Sequence, residues 1–132
     1  MRICAERAYG AHGGELLAAS ENALRTLEAA PLEADAAGLA ILACLGTENG
    51  YKIDISRIRE EGHAVGASPL PHRSMIAAPL WFGPAVAGSV ALVAADSQMK
   101  RPATRARYVN AVMDTAAAMS GQLTRAGARR AG

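Results

Sequence analysis

The sequence is short of aromatics, cysteine, lysine and net charge, and each shortage excludes something. Aromatic residues make up 4% of the 132 residues. The core must therefore be built from Ala, Leu, Val, Ile and Met, on elements that approach closely. Fourteen Lys+Arg against twelve Asp+Glu leave a net charge of +2, far from a protein that coats nucleic acid. The basic excess gathers at the end, in Arg125, Arg129 and Arg130. Two cysteines, Cys4 and Cys44, are too few for a disulfide framework and read as thiols of a reducing compartment. No run approaches the roughly 20 apolar residues of a membrane span. Glu6 and Arg7 follow the first four residues too soon for a secretory signal. The expectation is a cytoplasmic protein with no membrane partner. Lysine occurs only at 52 and 100 beside abundant Ala and Arg, the usage of a high-GC bacterial genome.

What is present argues for a folded chain. Hydrophobic residues reach 51% and charged residues 20%, which excludes a disordered segment. With no repeat and no linker, residues 1–132 read as a single domain. Residues 1–13 hold a short strand-like run and then a Gly-rich stretch. Residues 15–29 read as an amphipathic helix, with Leu16, Leu17, Ala23, Leu24 and Leu27 near one face. Residues 33–45 read as a buried, Ala-rich helix that Asp35 is placed to cap. A charged helical turn over 53–61 ends at Gly62. Three strand-like runs follow, at 63–65, 75–82 and 86–95, the last two joined by a Gly83-Pro84 turn as a hairpin. Pro79 lacks an amide donor, so its strand is expected at an edge or with a bulge. The closing helix covers about 102–124, with an apolar stripe of Val109, Val112, Met113, Ala116, Met119 and Leu123. Fraying is expected from Gly127, and 125–132 reads as a flexible basic tail. Together these predict an α+β domain, an antiparallel sheet with helices packed on it.

Four segments, in order, resemble one family. Residues 31–43, PLEADAAGLAILA, are similar to its P-L-H-A-T-A-x-G-K-A-I-L-A. Residues 56–64, SRIREEGHA, resemble L-x-x-I-R-x-x-G-Y-A, and IAAPL at 76–80 followed by 87–95 resembles I-A-A-P-V-F-D…G-x-V-V-A-A-L-S-V-S-G-P. AAAMSGQL at 116–123 is similar to A-A-x-x-I-S-x-x-L-G. The chain thus resembles the effector-binding domain of IclR-type bacterial transcription regulators, a GAF-like fold, over 31–124, with a divergent segment at 1–30. The family's winged helix-turn-helix has no counterpart here, and 46–51 replaces a longer connection. The resemblance implies a trimmed effector domain that binds a small molecule, makes no direct DNA contact and assembles as a homo- or hetero-oligomer.

The resemblance also implies a pocket between the sheet and the start of the Ala-rich helix. Its matching positions are Ala36, Ala37, Gly38, Gly66, Met75, Val93 and Ala95. The family's Lys is Leu39 here, and its two serines fall on Val93 and Ala95. A buried carboxylate without donors is costly by several kcal/mol, so a ligand more apolar than small organic acids is expected. The same residues also fit a plain filled core. An enzyme of secondary metabolism, a cyclase, isomerase or lyase built on this pocket, is an alternative. It would draw on His63, His72 and Asp35. A third is a ligand-free assembly subunit. His63 more readily packs beside a helix, His72 sits in a loop, and Cys44 is an inert buried thiol. No zinc spacing, Walker loop, dinucleotide fingerprint or G-x-S-x-G is present, so neither metal nor cofactor is expected.

Overall fold

A computed structural model describes residues 1–7, 21–45 and 55–131. The Gly-rich stretch near residue 13, the first part of the 15–29 helix and the connection at 46–54 lie outside the described residues. The element order is β1 (Arg2–Ile3), α1 (Glu21–Glu28), β2 (Ala29–Ala30), a 3-10 turn (Leu32–Ala34), α2 (Ala36–Leu45), α3 (Ile55–Glu61), β3 (Ala64–Ala67), β4 (Arg73–Phe82), β5 (Ala85–Ala95), α4 (Asp96–Met99) and α5 (Pro102–Ala131). β1 and β2 form a small antiparallel pair, and β3-β4-β5 form an antiparallel three-stranded sheet. This is the expected α+β architecture.

The sheet divides two cores, because side chains alternate across it. On one face Met75 and Ala77 of β4 meet Ala36, Ala37, Leu39, Ala40, Leu42 and Ala43 of α2, with Ile55 of α3. On the other, Ile76 and Ala78 meet Val112 and Ala116 of α5 and Met99 of α4. β4 is buried on both faces, so Met75 to Ala78 read as a continuous apolar run. The small residues at the start of α2 allow a close approach to the preceding 3-10 turn. A Cβ at Gly38 would stand 2.1 Å from the Leu32 carbonyl oxygen.

Pro79 sits where β4 has one partner strand, since β3 stops opposite Ala77, and a register shift follows between Leu80 and Trp81. The bared stretch is closed from α5. The Trp81 N–H donates to Ser120 Oγ at 2.9 Å and the Gly83 N–H to Thr124 Oγ1 at 3.1 Å. Gly62 (φ 78°) and Gly83 (φ 60°) take left-handed conformations that end α3 and turn the hairpin.

Two expectations need correction. The helix of 33–45 is broken: a 3-10 turn comes first, and Asp35, extended at φ −153°, separates it from α2. The closing helix is longer than the expected 102–124. It runs to Ala131. The Phe82 ring lies so close over Gly127 that a Cβ there would stand 2.2 Å from it. The hairpin tip thus holds the last turns of α5 against the body. The four-residue α4 had no separate place in the sequence reading.

Candidate functional site

The start of α2 stands over the sheet, and one buried ion pair positions it. Asp35 is the N-cap of α2: its Oδ1 accepts the Gly38 N–H at 3.1 Å, and its carbonyl accepts the Leu39 N–H at 2.9 Å. Arg2, 7% exposed, grips the 4% exposed Asp35. Its Nε lies 3.0 Å from both carboxylate oxygens, and its Nη2 also pairs with Oδ2. The same guanidinium donates to the carbonyls of Leu27 at 2.6 Å and Thr26 at 2.8 Å, at the C-terminal end of α1. A cation thus closes one helix end and an anion the other, both in the sense the helix dipoles favour.

This placement decides the role of Asp35. Its carboxylate oxygens are engaged by Arg2 and by its own helix, so the capping expected of Asp35 is observed. It also changes Gly38: its amide is already bonded, and the residue contributes close approach. Ser89 was missed in the sequence reading. Its hydroxyl donates to the Ala37 carbonyl at 2.9 Å and pins α2 to β5. No short-range signal marks a bond that spans 52 residues.

Under α2, three expected pocket residues form one cross-strand row: Gly66 pairs with Met75, and Met75 with Val93. Met75 is 2% exposed and belongs with Val93, Ala36 and Ala37 to one apolar cluster. Ala95 pairs with Arg73 at the end of the sheet, beyond that cluster. Gly66 is half-buried, and a Cβ placed on it meets nothing within 4 Å. Space therefore opens beside Gly66, at the margin of a tightly filled row. Two further hollows lie on the α5 side. One, of about 440 Å³, is lined by Ser74, Asp96, Met99, Lys100, Pro102 and Arg105. The other, of about 200 Å³, has Ala78, Pro79, Trp81 and Met113 among its lining residues.

The histidines do not converge. His63 precedes β3, with Nδ1 3.2 Å from the Glu61 carbonyl oxygen and Nε2 4.0 Å from the Glu61 carboxylate. Glu61 is itself held by Arg57, whose hydrogen bond lowers its carboxyl pKa. His72 is exposed, at φ 57° in the turn after β3. The four residues of β3, about 13 Å of strand, lie between them. No group of three or more metal-binding side chains occurs among the described residues.

Cys44 is half-buried near the end of α2, where Arg59 Nε donates to the Ala43 carbonyl at 2.7 Å. Burial pushes the thiol pKa up, and the Arg59 charge offsets part of this. A higher pKa leaves less thiolate at any given pH, and thiolate is the reactive form. We expect alkylation of Cys44 by iodoacetamide at pH 8 to be slower than that of free cysteine, with its rate profile displaced to higher pH. Peptide mass mapping over time measures both; a rate equal to that of free cysteine would refute it.

The fold matches solved structures of one class. The C-terminal domain of a transcriptional regulator from Vibrio cholerae aligns with a TM-score of 0.58 at 23% identity, over 67% of this chain and 64% of that one. Agrobacterium tumefaciens repressor BlcR gives 0.61 at 17% identity, over 72% and 48%. An IclR transcriptional regulator from Alicyclobacillus acidocaldarius gives 0.57 at 21%, over 71% and 46%. This chain therefore has the fold of the C-terminal domain of IclR-type transcriptional regulators. It spans just under two thirds of the Vibrio cholerae domain and about half of the two longer regulators. No family model matches the sequence, and no curated protein does.

Proposed function

We propose that these residues form a small-molecule-sensing domain of the IclR effector type, and that its ligand is more apolar than the small organic acids. The ligand lies in the open space beside Gly66, at the margin of the row Gly66–Met75–Val93, with Ala36, Ala37, Gly38 and Ala95 as the neighbouring positions. The observation that carries this reading is the carboxylate of Asp35. A helix start attracts an anion, but here the chain's own acid already fills that place and Arg2 neutralises it. The remaining lining named above is Ala, Gly, Val and Met, which rewards buried apolar area. The two thiols are free, and no helix among the described residues is long and apolar enough to cross a membrane. Both suit a reducing cytoplasm.

Thermal-shift screening and native mass spectrometry with two ligand sets test the proposal. One holds pyruvate-like acids, the other neutral apolar molecules of similar size. We expect the melting temperature to rise with members of the second set only. Gly66→Val places its side chain in the open space and suits a strand. It should fold as well as the parent and lose at least tenfold in affinity. A shift with small acids alone, or unchanged affinity in Gly66→Val, would overturn the reading.

A further inference from the structure

The larger of the two hollows lies across the sheet from the start of α2. Ser74 is two residues from Ile76 on β4 and shares its face, the one that α5 covers. There β5 runs into α4 and α4 into α5, and the corner leaves a hollow of about 440 Å³. Small-molecule sites start from about 300 Å³. Of its lining residues, Met99, 6% exposed, and Pro102 are apolar. The other four supply a hydroxyl (Ser74), an anion (Asp96) and two cations (Lys100 and Arg105). Asp96 is held in place: Ser74 Oγ donates to its Oδ1 at 2.7 Å, and its own N–H donates to the His72 carbonyl at 3.0 Å. The backbone of both cations is also tied down. The Lys100 N–H donates to the Asp96 carbonyl at 3.1 Å and the Arg105 N–H to the Arg101 carbonyl at 2.9 Å. Among the described residues, Asp96 Oδ2 and the side chains of Lys100 and Arg105 have no hydrogen bond or ion pair. Glu61 feels the Arg105 charge, but its hydrogen bond goes to Arg57. Charges of both signs therefore line one hollow without pairing with each other.

We propose that this corner is a second binding site, for a small zwitterion with an apolar tail, the chemistry of an apolar α-amino acid. Lys100 and Arg105 take the carboxylate, the free oxygen of Asp96 takes the ammonium, and the tail lies on Met99 and Pro102. Charge selects this class. A neutral apolar molecule would cover three charged groups and pair none of them, which is costly. A phosphate dianion would meet Asp96 as well as the two cations, and an amine alone would meet Lys100 and Arg105. A zwitterion gives each sign its opposite, through charge-assisted hydrogen bonds. The Ser74 hydroxyl orients the Asp96 carboxylate before anything binds, so less freedom is lost on binding.

The proposal does not rest on the ligand reading at Gly66, which pairs with Met75 on the α2 side of the sheet. Its failure would leave the expected response to neutral apolar molecules as it stands. Isothermal titration calorimetry with the apolar L-amino acids should show binding with a Kd of about 1 mM or below. The deaminated and decarboxylated analogues of the one that binds best (for leucine, 4-methylpentanoate and isoamylamine) should each bind about tenfold or more weakly. Lys100→Gln/Arg105→Gln should lose amino-acid binding by a similar factor with unchanged circular dichroism, since both side chains are exposed. Asp96→Asn keeps an acceptor for Ser74 and removes the charge. It should erase the preference for the amino acid over its deaminated analogue, a change that a purely structural role of Asp96 would not produce. No binding of any apolar amino acid in that range, equal affinity for the amino acid and both analogues, or a preference that survives Asp96→Asn would each overturn the proposal. So would tighter binding of inorganic phosphate than of any amino acid.

Discussion

Arg2→Ala should cost about 3–5 kcal/mol of stability, the penalty for leaving a buried charge without its partner. That is a large part of the 5–15 kcal/mol that holds a typical domain together. The reason is the position of Asp35, 4% exposed at the first turn of α2, with Arg2 as its only cation among the described residues. The same truncation removes the donors that serve the Thr26 and Leu27 carbonyls. Arg2→Lys should recover little, because an ammonium lacks the planar fork that meets Asp35 and α1 together. Asp35→Asn keeps the acceptor for the Gly38 amide but strands the guanidinium. It should therefore fall between the parent and Arg2→Ala. Urea unfolding followed by circular dichroism measures all three. A loss below about 1 kcal/mol for Arg2→Ala would show the pair to be solvated and its energy that of a surface ion pair.

The second large effect is Gly38→Ala, expected to destabilise by about 3 kcal/mol. Alanine usually stabilises a helix interior by 0.5–1 kcal/mol over glycine, so the sign itself is the test. At Gly38 the new methyl would stand 2.1 Å from the Leu32 oxygen and 2.6 Å from the Leu32 carbonyl carbon and Cα. These are backbone atoms, which cannot swing aside as a side-chain end does. Relief requires moving the 3-10 turn, and with it the Asp35 cap. Gly66→Ala is the matched control, since nothing lies within 4 Å of its added carbon. It should change stability by less than about 0.5 kcal/mol. Equal effects in the two variants would mean that α2 does not hold its contact with the 3-10 turn.

If both results hold, Arg2, Asp35 and Gly38 define one rigid corner. It fixes the height of α2 over the sheet, and hence the space beside Gly66. On the ligand reading proposed above, affinity should then track the stability of this corner even though Arg2 is far along the chain from the proposed lining residues. Residue 2 had attracted no notice in the sequence, while Asp35 stood out for capping and for chemistry. The geometry displays the first of those roles.

Local patterns carried much of the fold. The Ala-rich run predicted a buried helix, Gly83-Pro84 a hairpin turn, Gly62 a helix stop and Pro102 a helix start, because each rests on backbone propensity within a few residues. Four ordered segments sufficed to point to the IclR-type fold. The stripe on α5 was legible in its period but not in its burial. Val112 and Ala116 are covered, whereas Met119 is 40% and Leu123 37% exposed. Periodicity says which residues share a face, not how far the neighbouring sheet extends.

The amino-acid order alone thus determined the cores of α2, α3 and α5, the hairpin, the apolar character of the residues set for the pocket and the absence of charge along 86–95. Tertiary structure decided that the acid at 35 caps a helix under the hold of an arginine 33 residues away. It decided too that the end of α5 stays helical under Phe82, and that β5 has β4 as its one strand neighbour among the described residues. The physical reason is range. Propensity and periodicity act over one or two turns of chain, while ion pairing, close approach and strand order depend on which distant segments share a volume.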